Sequence, residues 1–352
     1  MKIIFTLCGN NYLAQAKTLA DSARKHNPDY HFVIGLVDGL NDEVNYDDFA
    51  PTEILDVSTI DIPKFEDMHQ QYDIVEFSTS VKPFYFLHFL RAPISAEMVI
   101  YLDPDTMVFD SFEKIESEIK NNSILLTPHS LTPIPRDGKW PQDNLFLNAG
   151  VYNLGFLAVR NVPSAIEFIE WWASCLESMG YLNYAQGLFV DQLWVNLAPL
   201  YFKGAKISSD PGLNMAYWNF HERQLSQVGG SYVVNDSSPL TFFHFSSYNP
   251  LEPLLISRQQ VTFSDYRSSF EDRQDLRGIY DLYRKKMLEN KYELYSQLPW
   301  GIENNATLSE HQVEAQASDR SNIGARVIRR IMPTWGRRKL RRLLKKLARR
   351  YG

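Results

Sequence analysis

Cysteine is nearly absent: Cys8 and Cys175 are the two present in 352 residues. Two cannot build a disulfide framework, which excludes the small stapled folds of secreted proteins and points to a reducing compartment. Long apolar runs are missing as well. No stretch reaches the roughly 18 apolar residues of a membrane span. The run at residues 3–7 behind Met1-Lys2 falls short of the roughly 7–15 residues at the heart of a secretion signal. It reads as a first buried strand, and the protein as cytoplasmic. No internal repeat and no nucleic-acid-reading motif is found, so nucleic acid is not an expected partner.

Acidic residues are lacking from 320–352, where 13 of the 36 Lys and Arg residues fall. Residues 1–319 therefore hold 23 basic residues against 42 acidic ones, a balance of −19 hidden beneath a net charge of −6. An acidic body and a basic tail imply different partners for the two parts. Apolar residues make up 44%, enough for a substantial core.

Strand and helix patterns alternate. Residues 3–7 read as a strand, 13–26 as a helix after the Gly9-Asn10-Asn11 turn, and 31–37 as a strand closed by Asp38-Gly39. A strand at 52–57, a helix at 80–90 with Pro83 in its first turn, and an apolar strand at 98–102 come next. The stretch 132–144 should be a loop, 148–160 a strand or strand pair, 163–176 a helix, 191–200 a short helix and 240–245 a late strand. Residues 266–295 read as charged and helical. The pattern predicts an α/β fold, a sheet with crossover helices on its faces. Its expected divisions are a catalytic domain at 1–260, a helical extension at 261–298, a polar linker at 299–319 and the basic tail at 320–352.

The strand at 98–102 runs directly into Asp103-Pro104-Asp105. Ligands of open α/β sheets sit beyond the carboxyl ends of strands, so these carboxylates stand where a site forms. The proline limits the turn, and two carboxylates aimed at one point suit a hard cation, Mn²⁺ or Mg²⁺, that also binds phosphate oxygens. A solvated acidic turn has the same letters. So does the D-x-D-x-T of haloacid-dehalogenase-type phosphatases, matched by Asp103 to Thr106, although no second acidic element of that class appears after residue 110.

Taken with Thr6 to Leu13, Ser80 to Phe84, Asn148 to Leu154, Asp191-Gln192 and His244-Phe245-Ser246, the D-x-D within Leu102 to Val108 resembles glycosyltransferase family 8 and its bacterial relatives, retaining enzymes of the GT-A fold. The resemblance spans about residues 1–260. It implies a GT-A-like mixed sheet flanked by helices. Thr6, Asn11 and Tyr12 would lie at the nucleotide, with Tyr12 as a stacking ring and Asn11 as an amide for hydrogen bonds. Lys82 would lie near the donor phosphates and sugar. Asn148, Ala149 and Gly150 would contact the sugar, and Asp191 and Gln192 would stand at the reacting centre. Asp103, Asp105 and His244 would hold the metal. The family's acidic base reader falls at Gly9 here, and its late glycine and lysine fall at Ser247 and Pro250, so Arg258 or Lys82 is expected to grip the diphosphate. The implied donor is a nucleotide sugar, a UDP-sugar foremost with the base open, and the acceptor a glycan or lipid-linked glycan. A non-catalytic nucleotide-sugar-binding or membrane-adaptor protein is the competing reading.

In the tail, Leu340, Leu343, Leu344, Leu347 and Tyr351 trace one helical face among Arg and Lys residues. Such a helix suits an anionic membrane surface, placing the protein on the inner face of the plasma membrane.

Overall fold

A computed structural model describes residues 1–300; the linker beyond Trp300 and the basic tail predicted from sequence lie outside the described residues. The first elements are β1 (Lys2–Cys8), α1 (Leu13–His26), β2 (Tyr30–Leu36) and β3 (Glu53–Asp56), then β4 (Met98–Leu102), β5 (Thr106–Val108), β6 (Ile124–Pro128) and β7 (Tyr152–Arg160). Seven strands form the central sheet. Its order is the strand Ala205–Ile207, then β6, β7, β4, β1, β2 and β3. Only β7 runs against its neighbours; the other pairings are parallel. This is the mixed, mostly parallel α/β sheet flanked by helices that the sequence predicts.

A parallel sheet is covered on both faces, so its strands read as apolar runs, and β1 is buried from Ile3 to Cys8. Alternate side chains enter opposite cores: Ile3, Phe5 and Leu7 pack with the helix Lys82–Arg91 side, and Ile4 and Cys8 pack beneath α1. The last turn of α1 carries Arg24, Lys25 and His26, cations that complement the carbonyl end of the helix dipole. A third core joins Phe243 and Phe245 to Tyr280 and Tyr283 of the helix Arg277–Glu289. Phe245 and Tyr283 stack at 3.8 Å between centroids.

Two stretches differ from the sequence pattern. The strand expected from 148 starts at Tyr152, because Asp143–Ala149 is a helix that buries Phe146 and Ala149 at a three-residue spacing. Gly150 ends that helix with φ of 122°, a backbone state open to glycine. The segment predicted as helix from 266 stays irregular until residue 274.

The chain leaves β1 toward β2 and β3 on one side, then returns to place β4 on the other side of β1. The topological switch point therefore lies between β1 and β4. Loops diverge there at the carboxyl edge and leave a crevice. The turn at residues 9–12 and the Asp103–Asp105 turn are its two lips.

Candidate functional site

The Asp103–Asp105 turn is built by backbone on both sides. The Asp103 amide donates to the Gly155 carbonyl at 2.9 Å, and the Thr106 amide closes the turn onto the Asp103 carbonyl at 3.1 Å. The chain then enters β5, which pairs antiparallel with the strand Phe242–His244 and sets His244 opposite Thr106. That register carries His244 to the acidic turn. Its Nε2 lies 2.9 Å from Asp105 Oδ1 and 3.7 Å from Asp103 Oδ2.

One ligand atom from each of Asp103, Asp105 and His244 lies within 4.8 Å of the others. Burial lowers the proton affinity of His244, but the charges of Asp105 and Asp103 outweigh it and raise the imidazole above its ordinary range. Trp218 meets the imidazole edge-on at 5.1 Å. A Cβ on Gly155 would come within 2.5 Å of His244 Cε1, so glycine is what gives the ring its room. Two carboxylates and an imidazole converging on one point fit a divalent cation, and the nitrogen ligand weighs toward Mn²⁺ over Mg²⁺.

Beside this cluster lies a sealed ion pair. Lys82, in the first turn of its helix, sends Nζ to Asp191 Oδ2 at 2.6 Å and to the Leu154 carbonyl at 3.1 Å. The side chains of Lys82 and Asp191 are 3% and 4% exposed. Burial raises the Asp191 carboxyl, and Lys82 opposes that rise. The ammonium also sits 4.2 Å from the centre of the Tyr101 ring, whose hydroxyl donates to Asp103 Oδ1 at 2.7 Å. A continuous chain of contacts thus runs from Asp191 through Lys82 and Tyr101 to Asp103 and the imidazole.

Gln192 braces the same wall. Its amide nitrogen donates to the Ala149 carbonyl at 2.9 Å, and its oxygen accepts the Leu154 amide at 3.0 Å. Gly150 packs against this side chain, its Cβ position 3.0 Å from Gln192 Cγ. Each end of the amide has one bond to backbone, which leaves a lone pair on the oxygen and an N–H on the nitrogen. Asn148 stands exposed on the last turn of its helix.

At the other lip, Asn11 is half-buried and Tyr12 half-exposed. Packing around its hydroxyl, then the charge of Asp105, push the Tyr12 phenol up to about 12, while Arg258 opposes. The turn is held from below: the Asn10 backbone and side chain donate to Asp38 at 2.8–3.1 Å, and Tyr46 donates to the Asn10 oxygen.

Thr6 and Lys82, both expected at the donor, are buried. Thr6 is wholly buried inside β1. Lys82 is paired with Asp191 and rests over Tyr101, next to the acidic cluster. Arg258 is the exposed cation of the expected pair, 2.8 Å from Glu252. Ser247 adopts φ of 58°, so it holds the left-handed conformation for which glycine is the easier residue. Sequence inspection missed Tyr101, Asp38, Gly155 and Trp218. Asp38 had a usable signal, an acid at the carboxyl end of β2; the other three are recognisable only through what they touch.

No known protein-family profile matches the chain. It is similar to two curated proteins of Bacillus subtilis (strain 168), each called an uncharacterized protein. YfnF is 27% identical over 217 residues, 61% of this chain and 68% of that protein. YfnD is 22% identical over 278 residues, 78% of this chain and 85% of that protein. Among solved structures it is similar to galactosyltransferase LgtC in complex with donor and acceptor sugar analogs, with TM-score 0.48 and 16% identity, covering 82% of this chain and 96% of that one. It is also similar to the bifunctional glycosyltransferase WbbM, with TM-score 0.47 and 14% identity over 85% of this chain and 50% of that one. GlyE of Streptococcus pneumoniae TIGR4 scores 0.45 at 14% identity over 85% and 64%. All three neighbours are glycosyltransferases; at these scores the likeness says nothing of this chain's substrates.

Proposed function

We propose that the chain is a metal-dependent glycosyltransferase that moves a sugar from a nucleoside diphosphate to a glycan or lipid-linked acceptor, with retention at the anomeric carbon. The observation that carries this reading is the convergence of Asp103, Asp105 and His244 at the switch-point crevice, beside the buried pair of Lys82 and Asp191. Asp103, Asp105 and His244 would hold Mn²⁺ or Mg²⁺, which supplies positive charge to the oxygens of a diphosphate leaving group.

The remaining work falls to the chain itself. Asn11 and Tyr12 receive the nucleoside at the end of β1. Arg258, exposed and paired with Glu252, adds a cation at the diphosphate in place of the lysine expected at position 250. Asp191, anchored by Lys82 at 2.6 Å, orients sugar hydroxyls. Gln192 presents the free lone pair of its amide oxygen toward positive charge developing at the anomeric carbon. Asn148 and the backbone of Ala149 and Gly150 border the sugar.

A phosphatase of the D-x-D-x-T type is less well supported. Among the described residues the metal-binding group is completed by a histidine and not by further carboxylates. No helix of the described residues is long and apolar enough to cross a membrane. The basic tail at 320–352 is proposed to bring the enzyme to the anionic inner face of the plasma membrane, where a lipid-linked acceptor resides. Deleting it should abolish binding to anionic liposomes and spare donor hydrolysis in solution; unchanged liposome binding refutes that assignment.

The primary test is a screen of nucleotide sugars by thermal shift and donor hydrolysis, with and without Mn²⁺, on wild type and Asp105→Ala. One donor should stabilise and turn over only with metal, and the variant should lose both. If no donor binds and the variant behaves as wild type, the non-catalytic adaptor reading replaces this one.

A further inference from the structure

Gly9 comes directly after β1 at the crevice, and the space its side chain would take is already filled. A Cβ built there would stand 2.5 Å from Cζ3 and 2.8 Å from Cε3 of Trp300. The six-membered ring of the indole therefore lies against the glycine backbone, with no room for even a methyl group. The same point is 3.0 Å from Asn11 Oδ1. Indole and amide thus border one spot on the lip of the crevice. Gly9 has an ordinary extended backbone, φ −81° and ψ 169°, so the indole, not the turn, is what demands glycine here.

Trp300 arrives from the far end of the described chain, and its approach is anchored. Asn290 donates to Thr18 of α1 at 2.9 Å, Lys291 pairs with Asp48 at 2.6 Å, and Tyr295 and Leu298 are buried beneath α1. The helix Tyr292–Tyr295 touches the turn at residues 10–12. The indole packs partly against the apolar core on the Phe5 face of the sheet and stays half-exposed. Tyr12, on the same turn, senses Asp105 and Arg258, so the turn and the metal-binding cluster share one crevice.

We propose that Trp300 forms a wall of the nucleobase pocket, so that the base of a nucleoside diphosphate is recognised by contact with its ring together with the Asn11 amide and Tyr12. This rests on the donor reading above. Aromatic rings hold bases through their π-faces, and a neighbouring amide meets the base edge. Position 9 carries no side chain to read the base, and the indole stands in that place.

The test uses the full chain in Mn²⁺, titrated with uridine, guanosine, adenosine, cytidine and thymidine diphosphates, and with inorganic pyrophosphate as the base-free probe. Trp300→Ala should weaken the preferred nucleoside diphosphate by about tenfold or more, the scale of a lost base–aromatic stack. Preference among bases should narrow, and pyrophosphate binding should stay as in wild type. Trp300→Phe should keep most of the affinity. Gly9→Ala, which displaces the indole, should reproduce the Trp300→Ala loss. Wild-type affinity in Trp300→Ala overturns the proposal, and tighter binding overturns it by showing that the ring blocks the pocket. A parallel loss of pyrophosphate also overturns it, since the effect would then lie in the fold. If wild type binds neither nucleoside diphosphates nor pyrophosphate, the donor reading itself fails, and this inference with it.

Discussion

Two acidic centres lie side by side in the crevice and are built in opposite ways. Asp103 and Asp105 keep 30% and 23% of their side chains exposed and face a histidine that shares their charge. Asp191 is sealed at 4%, with Lys82 already across from it. An open, incompletely neutralised cluster has coordination to offer an incoming cation. A sealed pair has already exchanged hydration for a partner, and its value lies in holding a carboxylate in place. Tyr101 touches both, which ties the posture of one centre to the other.

The comparison breaks most completely at the open centre. Asp105→Ala should lower Mn²⁺ affinity, measured calorimetrically, by more than about 100-fold, beyond the loss typical of groups that only support a ligand. Melting temperature without metal should change little, because relief of the Asp103–Asp105 repulsion offsets loss of the Asp105 contact with His244. A large fall in stability would mean that the cluster is structural. Lys82→Met should do the reverse. Leaving Asp191 buried and unpaired should destabilise the fold by about 3–5 kcal/mol in denaturant titration, and adding Asp191→Leu should recover much of it. A Lys82→Met protein as stable as wild type would show that the pair is not sealed in solution.

The smallest expected effect sharpens the contrast through pH. A metal held by the proposed ligand set would displace a proton from His244, whose pKa is raised by Asp105 and Asp103 over the opposing effect of burial. Mn²⁺ affinity should therefore fall by about tenfold per unit as pH drops below that raised value, and level off above it. The proton-linked stability runs the other way. Without metal, the protonated imidazole stabilises the fold below the ordinary histidine range, and this contribution is lost as pH rises through the raised value. A flat affinity profile from pH 5 to 8 would remove His244 from the ligand set.

Much of this was readable in advance, for local reasons. The helix at 13–26 and the strand at 98–102 coincide with α1 and β4, since buried apolar runs and helical spacing are properties of neighbouring residues. Asp103 and Asp105 were legible because the end of a buried strand fixes the direction of the residues just beyond it. The helix at Asp143–Ala149 was not. Leu145, Phe146 and Ala149 hint at helical spacing, but the apolar run beyond Gly150 drew the expected strand backward over it. The partner of Lys82 was also illegible. A lysine ahead of a proline looks solvated, and Asp191 is 109 positions away in the chain.

What the sequence determined by itself is the set of elements and the chemistry at their ends: an α/β alternation, an acidic turn after a buried strand, and a late histidine. Those arise from periodicity, propensity and residue type, which act over a few positions. Tertiary structure alone decided who faces whom. The pairing of Phe242–His244 with β5 brings His244 to Asp105, burial couples Lys82 to Asp191, and packing of the last helices carries Trp300 to Gly9. These contacts close long loops, and only the summed burial of a whole core offsets the entropy of closing them.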